Sequence, residues 1–218
     1  SDLKKIKDRP EVLYYRGNID ILNEHKSIAV VGSRKISAVG AKLAYNAGSI
    51  IGKNGFNLVN GLALGCDAEA LKGALAAGGK CAVVLPCGIN EIYPKSNQWI
   101  AEEVLKQGGC LISEYPEGTR PEKYRFVQRD RLQSGMSQGV LVVEAMEKSG
   151  TMHTAEYAKK QNRRLACYYH GLLKYSTGNN VLENLYQAAV IKTNEDLENY
   201  LCEIADIEEY TQLSFDFV

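Results

Sequence analysis

Seven short apolar runs, separated by longer amphipathic stretches, recur from residue 27 nearly to the end of the chain. The runs are SIAVVG (27–32), FNLVNG (56–61), KCAVVLP (80–86), GCLISEY (109–115), GVLVVEA (139–145), RLACYY (164–169) and AVIKT (189–193). Most are continuous in Val, Ile, Leu and Ala, as a strand buried on both faces requires. Helical periodicity covers about 37–53, 66–78, 96–107, 126–137, 152–162, 179–188 and 194–204 between them. Alternating β and α units predict an α/β fold: a doubly wound, mostly parallel sheet with helices on both faces and right-handed crossovers. Residues 1–26 read as an extension packed on the sheet edge, 27–205 as the α/β domain and 206–218 as a C-terminal tail.

The 26 Lys and Arg residues are balanced by 26 Asp and Glu, so the molecule as a whole has no field to draw in a polyanion. A nucleic-acid site must then be a local cluster. Cys66, Cys81, Cys87, Cys110, Cys167 and Cys202 form no C-x-x-C pair and have only three histidines to join them, which predicts reduced, mostly buried thiols and no metal. No cofactor is expected. No run approaches the length of a membrane span, and SDLKKIKDRP lacks the apolar core of a signal peptide, so a cytoplasmic protein without membrane attachment is expected.

In an open doubly wound sheet ligands bind beyond the carboxyl ends of the strands, and the unusual residues collect there. The first strand runs into Gly32, Ser33, Arg34 and Lys35, with one glycine where a dinucleotide fingerprint needs three. Gly32 and Gly61 serve either a close ligand or only a tight turn. Ser33 or Ser37 suits a helix cap, and Asp67 suits the positive end of a helix. Ser149, Gly150 and Thr151 make an anion nest or simply a helix entry. The loop after the fourth strand is the least ordinary, carrying Arg120, Lys123, Arg125, Arg129 and Arg131 against Glu122 and Asp130, interleaved with Tyr124 and Phe126. Cations among aromatic rings suit a phosphate track with stacked bases. The run KKQNRR at 159–164 ends a helix, where cations complement the dipole.

Taken in order, the GSR turn, GLALGCDAEA, CGINEIYP, SEYPEGTRP, RFVQRDRLQSGMSQGVLVVEA and KSGTMHTAEYA resemble the DNA-processing protein A (DprA/Smf) family over roughly residues 10–195. The resemblance implies an extended Rossmann-like domain that binds single-stranded DNA, forms a homodimer and delivers the strand to a RecA-type recombinase in natural transformation, without catalysis. It implies phosphate contacts at Gly32, Ser33 and Arg34, and puts a basic segment that usually reads Arg-Asn-Arg-Ile on Arg129, Asp130, Arg131 and Leu132. Asp130 departs from that pattern. The reading expects the domain without the helical and winged-helix modules that often flank it in the family, so that affinity rests on the rim and on dimerisation. The expected DNA and phosphate site is thus Gly32, Ser33, Arg34, Lys35, Gly61, Arg120, Lys123, Phe126, Arg129, Arg131, Ser149, Gly150 and Thr151.

An enzyme of a related fold is the alternative. KSGTMHTAE loosely echoes the G-G-x-G-T-x-x-E signature of nucleoside-monophosphate phosphoribohydrolases, with Glu156 two residues out of place and Glu144 as a substitute carboxylate. Glu144 also reads as a group hydrogen-bonded to rim amides. The end of the chain, TQLSFDF (211–217), resembles a sliding-clamp docking peptide or an apolar tail that packs on its own surface.

Overall fold

Alternate residues of the central strand face opposite hydrophobic layers. In β2 (Ser27–Val31), Ile28 and Val30 enter one core while Ala29 and Val31 enter the other. The computed structural model describes Leu3 and residues 6–213. Its strands are β1 (Tyr14–Gly17), β2, β3 (Asn57–Asn60), β4 (Cys81–Val84), β5 (Cys110–Ser113), β6 (Gly139–Val142), β7 (Arg164–Tyr168) and β8 (Ala189–Ile191). They form one sheet in the order β1-β5-β4-β3-β2-β6-β7-β8, parallel throughout except for β1 against β5. The fold is the doubly wound α/β architecture read from the alternation.

Helices α2 (Ala38–Lys53), α3 (Cys66–Ala76), α4 (Gln98–Lys106) and α8 (Asn194–Leu213) cover one face. The short α1 (Ile21–Glu24), with α5 (Lys123–Gly135), α6 (Gly150–Lys160) and α7 (Thr177–Asn184), covers the other. The chain moves outward from β2 through β3, β4 and β5, then returns through α5 to place β6 on the other side of β2. The strand order therefore reverses between β2 and β6, and their outgoing loops part above the sheet.

Several boundaries differ from the sequence expectation, and four of them have a clear physical reason. The segment VLYYRG contributes an edge strand, β1, whose four residues are all exposed, so hydrophobic burial gives no signal for it. Helix α5 begins at Lys123, three residues before the apolar period starts, because extended Glu122 after Pro121 ends the loop. Helix α7 closes at Asn184, shortly before Gln187 takes a positive φ of 55°. Helix α8 continues past 204 to Leu213, since nothing in EIADIEEY breaks a helix. The TQLSFDF motif thus starts in the last helical turn, and its remainder lies outside the described residues.

All six cysteines are free, five buried and Cys202 exposed. Among the described residues no helix is long and apolar enough to cross a membrane.

Helices α2 and α3 meet at a backbone-to-backbone crossing. A Cβ on Gly48 would strike the Ala70 carbonyl, and one on Gly73 would strike the Tyr45 carbonyl. Glycine to alanine in an open helix stabilises by about 1 kcal/mol. Here Gly48→Ala and Gly73→Ala should each destabilise by about 2 kcal/mol, because overpacking outweighs helix propensity. Urea unfolding of the two variants checks the sign.

Candidate nucleic-acid interface

Above the reversal between β2 and β6 lies a cleft of about 820 Å³. Its walls come from the turn after β2 (Gly32, Ser33, Arg34, Lys35), from α5 (Lys123, Phe126, Val127, Arg129, Asp130, Gln133) and from the α6 entry (Ser149, Gly150, Thr151, His153, Thr154). Ala63, Asp67, Tyr93, Met146 and Tyr175 complete it with Val31. Ten of the thirteen residues expected from the sequence line this one space; Gly61, Arg120 and Arg131 do not.

The β2 turn is held by backbone on both sides. Ser33 N–H donates to the Glu144 carbonyl at 2.7 Å, and the Ser33 carbonyl accepts from Cys66 N–H at 3.1 Å. Ser33 Oγ accepts from Lys35 N–H, while Ser37 Oγ caps α2 by accepting from Gly40 N–H. Gly32 is required because a Cβ there would meet the Cys66 side chain, and Gly65 because its φ of 74° brings it under the Ser33 and Arg34 carbonyls. So anchored, the turn leaves Arg34 and Lys35 exposed. The Arg34 guanidinium sits 5.0 Å from the Phe126 ring centre, and Phe126 meets Tyr93 edge-to-face at 5.6 Å. Opposite them, Ser149 precedes α6 without capping it, since its hydroxyl donates to the Met146 carbonyl. The first-turn amides of α6 border the cleft uncapped by any described side chain.

Arg129 is 4% exposed and runs across the face of Gly61, where a Cβ would coincide with its guanidinium. It donates to the Val84 carbonyl and lies 3.3 Å from Asp130 Oδ1. Gly61 is thus a seat for Arg129, one reason for glycine that neither a turn nor a ligand supplies. Asp67 is not a free helix-end charge either: its Oδ2 accepts from Gly61 and Ala63 N–H, and burial raises its carboxyl against the lowering effect of Arg129 and these bonds. The same loop holds Leu62 at a positive φ of 58°, fixed by Asn60 Oδ1 on its N–H and Asn97 Nδ2 on its carbonyl.

Arg131 points away from the cleft. Its guanidinium forms a two-pronged pair with Glu114 at 2.5 and 2.6 Å and also reaches Asp8, tying the N-terminal segment to α5. Arg120 is exposed but outside the cleft, its carbonyl accepting from Arg125. Arg125 is itself engaged by Glu122 and by the Tyr115 and Tyr124 rings. A count of cations along the segment could not separate these roles, because helical phase sends successive arginines to different faces.

The two glutamates named for hydrolysis are not cleft-lining residues. Glu144 is fully buried: Oε2 accepts from Ser37 N–H at 2.7 Å and Oε1 from Tyr175 N–H at 3.1 Å. It is the amide-bonded group that the alternative reading foresaw. Glu156 is exposed on α6. Among the described residues no cluster of His, Cys, Asp and Glu is arranged to hold a metal.

The profile of the DNA recombination-mediator protein A family matches residues 1–201. The chain belongs to that family. DNA processing protein DprA of Bacillus subtilis is 36% identical over 163 residues, 75% of this chain and 54% of that protein. Protein Smf of Synechocystis is 38% identical over 164 residues, 74% of this chain and 41% of that protein. The chain thus spans about half the length of the curated relatives it matches. Among solved structures, DNA processing protein A from Helicobacter pylori, reported for its single-stranded DNA binding mode, superposes with a TM-score of 0.84 at 30% identity, covering 93% of this chain and 92% of that one. The Streptococcus pneumoniae DprA structure gives 0.79 at 32% identity over 91% of this chain and 69% of that one. A molybdenum cofactor binding protein from Rippkaea orientalis, 17% identical with a TM-score of 0.59, shares the fold.

Two stability effects follow from the family's basic segment as it stands here. Burial raises the Asp130 carboxyl to about 6, offset in part by Arg129, His153 and Arg34 and reinforced by Asp67. A carboxyl raised on folding contributes stability below its unfolded value of 3.8 and loses it as pH rises through about 6. At pH 7.5 the ionised group therefore costs at most about 3 kcal/mol. Asp130→Asn should raise the melting temperature at pH 7.5 and have little effect near pH 3.5. Arg131→Ala should do the opposite, destabilising by about 2 kcal/mol at neutral pH because Glu114 is left half-buried without its partner. Thermal melts of both variants across pH test the pair.

Proposed function

We propose that the cleft is a single-stranded DNA track with little dependence on overall sequence, and that the protein delivers such strands to a RecA-type recombinase as a homodimer, in a cytoplasmic DNA-processing role. One observation carries the reading: Arg34, Lys35 and Lys123 stand exposed around a single cleft whose walls also offer the Phe126 and Tyr93 rings and the uncapped amides of α6. Side-chain cations and amides hold phosphates, and ring faces take bases of any identity. The Helicobacter pylori relative, reported for binding single-stranded DNA, supports it. In this reading Gly32, Ser33, Ser149, Gly150 and Thr151 supply backbone and hydroxyl contacts, while Arg129 shapes the floor.

Fluorescence anisotropy with matched single-stranded and duplex oligonucleotides tests the proposal. The single strand should bind more tightly, and log K should fall against log salt with a slope of about −2, from roughly three phosphates at 0.7 each. Arg34→Ala should weaken binding and reduce the slope by about 0.7, whereas Arg131→Ala, once folded, should leave the slope unchanged. A flat salt response, or tighter binding to duplex, would overturn the track. Light scattering that finds only monomer at tens of micromolar would remove the homodimer and leave the track standing.

A further inference from the structure

The floor of the cleft is built differently from its mouth. Asp130 and Gln133 lie one turn apart on α5 and both line the cleft from below. Gln133 Nε2 donates to Asp130 Oδ1 at 3.0 Å. An ionised carboxylate only accepts, so this bond fixes which end of the amide faces it. Gln133 is 2% exposed, yet its Oε1 has no hydrogen-bond partner. Asp130 Oδ2 likewise receives no hydrogen bond from any described residue, since the contacts from Gln133 and Arg129 both go to Oδ1. At the bottom of a cleft whose upper walls hold cations and rings, Asp130 Oδ2 is thus left without a donor from the described residues, while Gln133 Oε1 and Arg129 Nε are buried without a hydrogen-bond partner beside it. A carboxylate oxygen open to the cleft and without a donor from the described residues is suited to hydrogen-bond donors supplied by a ligand.

We propose that Asp130, positioned by Gln133, reads the Watson–Crick edge of a base inserted into the cleft and selects guanine. This deepens the single-stranded DNA reading and rests on it. Guanine presents two adjacent donors on that edge, N1–H and the N2 amine, which a carboxylate can accept side by side. Adenine and cytosine each place one amine beside a ring nitrogen that is itself an acceptor and repels the carboxylate. Thymine flanks its one N–H with two carbonyls. The track stays tolerant of sequence along the backbone, while one position along the strand carries a preference.

The test compares a thymidine homopolymer with the same strand carrying isolated guanines, bound to the intact protein at pH 8, where Asp130 is ionised. The guanine strand should bind about tenfold tighter, the size of one good base-edge contact. Deoxyinosine, which lacks the N2 amine, should lose most of that gain, and 7-deazaguanine, which keeps the same edge, should retain it. Asp130→Asn should abolish the preference, read as the ratio of guanine-strand to thymidine-strand affinity, and its melting curve confirms that it folds. Equal binding of the two strands by the unmodified protein overturns the reader and leaves the single-strand track intact. A preference that survives Asp130→Asn, or is lost with 7-deazaguanine, also overturns it. Failure of both strands to bind removes the track itself, and the reader with it.

Discussion

The buried carboxylate of Glu144 joins the two lips of the cleft. Strands β2 and β6 are neighbours, but the chain leaves them in opposite directions, and a gap above the sheet is the geometric result. Such a gap needs a brace if its walls are to keep their spacing. Glu144 supplies it from the end of β6, accepting one amide from the α2 entry and another from the loop that carries Tyr175, while its own carbonyl accepts from Ser33. Gly40 leaves room for the carboxylate, since a Cβ there would crowd Oε2. The mobile-looking sequence around GSRKIS is therefore rigid where it matters: Arg34 and Lys35 project from a clamped backbone, which lowers the ordering entropy lost when a ligand binds.

Charge in the α5 region divides by depth. The outer cations, Lys123 among them, face solvent, whereas Arg129 lies beneath them as part of the protein's internal polar structure. Its guanidinium fills the space above Gly61 and draws Asp67 and Asp130 into one buried group, so the surface potential of the cleft rests on fewer cations than the sequence carries. A ligand at the mouth meets exposed positive charge, and one that reaches the floor meets the Asp130 carboxylate beside Arg129.

Strand runs, helix order and the rim location of the unusual residues were legible because they follow from burial period and from the topology of parallel sheets. Ten of the thirteen expected site residues line the cleft for the same reason. Arg131 and Arg129 were not legible in role. Both are cations in a basic segment, and only the phase of α5 and the distant positions of Glu114, Asp8 and Gly61 separate an ion-paired tie from a buried pin. Strand β1 escaped because an exposed edge strand has no burial pattern to read. Tyr93 lies in the CGINEIYP motif and Gln133 in RFVQRDRLQSGMSQGVLVVEA, but neither motif assigned them a role. A glutamine within a helix and a tyrosine beside a proline acquire meaning only from what the fold brings near them.

The order in which the sheet can be completed follows from the central place of β2. Its first neighbour, β3, lies about one helical crossover downstream, but its second, β6, begins only at Gly139. During synthesis one edge of this buried strand stays open until Gly139 and the residues after it have been made, and β1 waits for β5 in the same way. Long-range pairing of this kind is slow, and exposed strand edges invite association with other chains. The cleft, whose walls follow β2 and β6, cannot form until the later of these two pairings has been made.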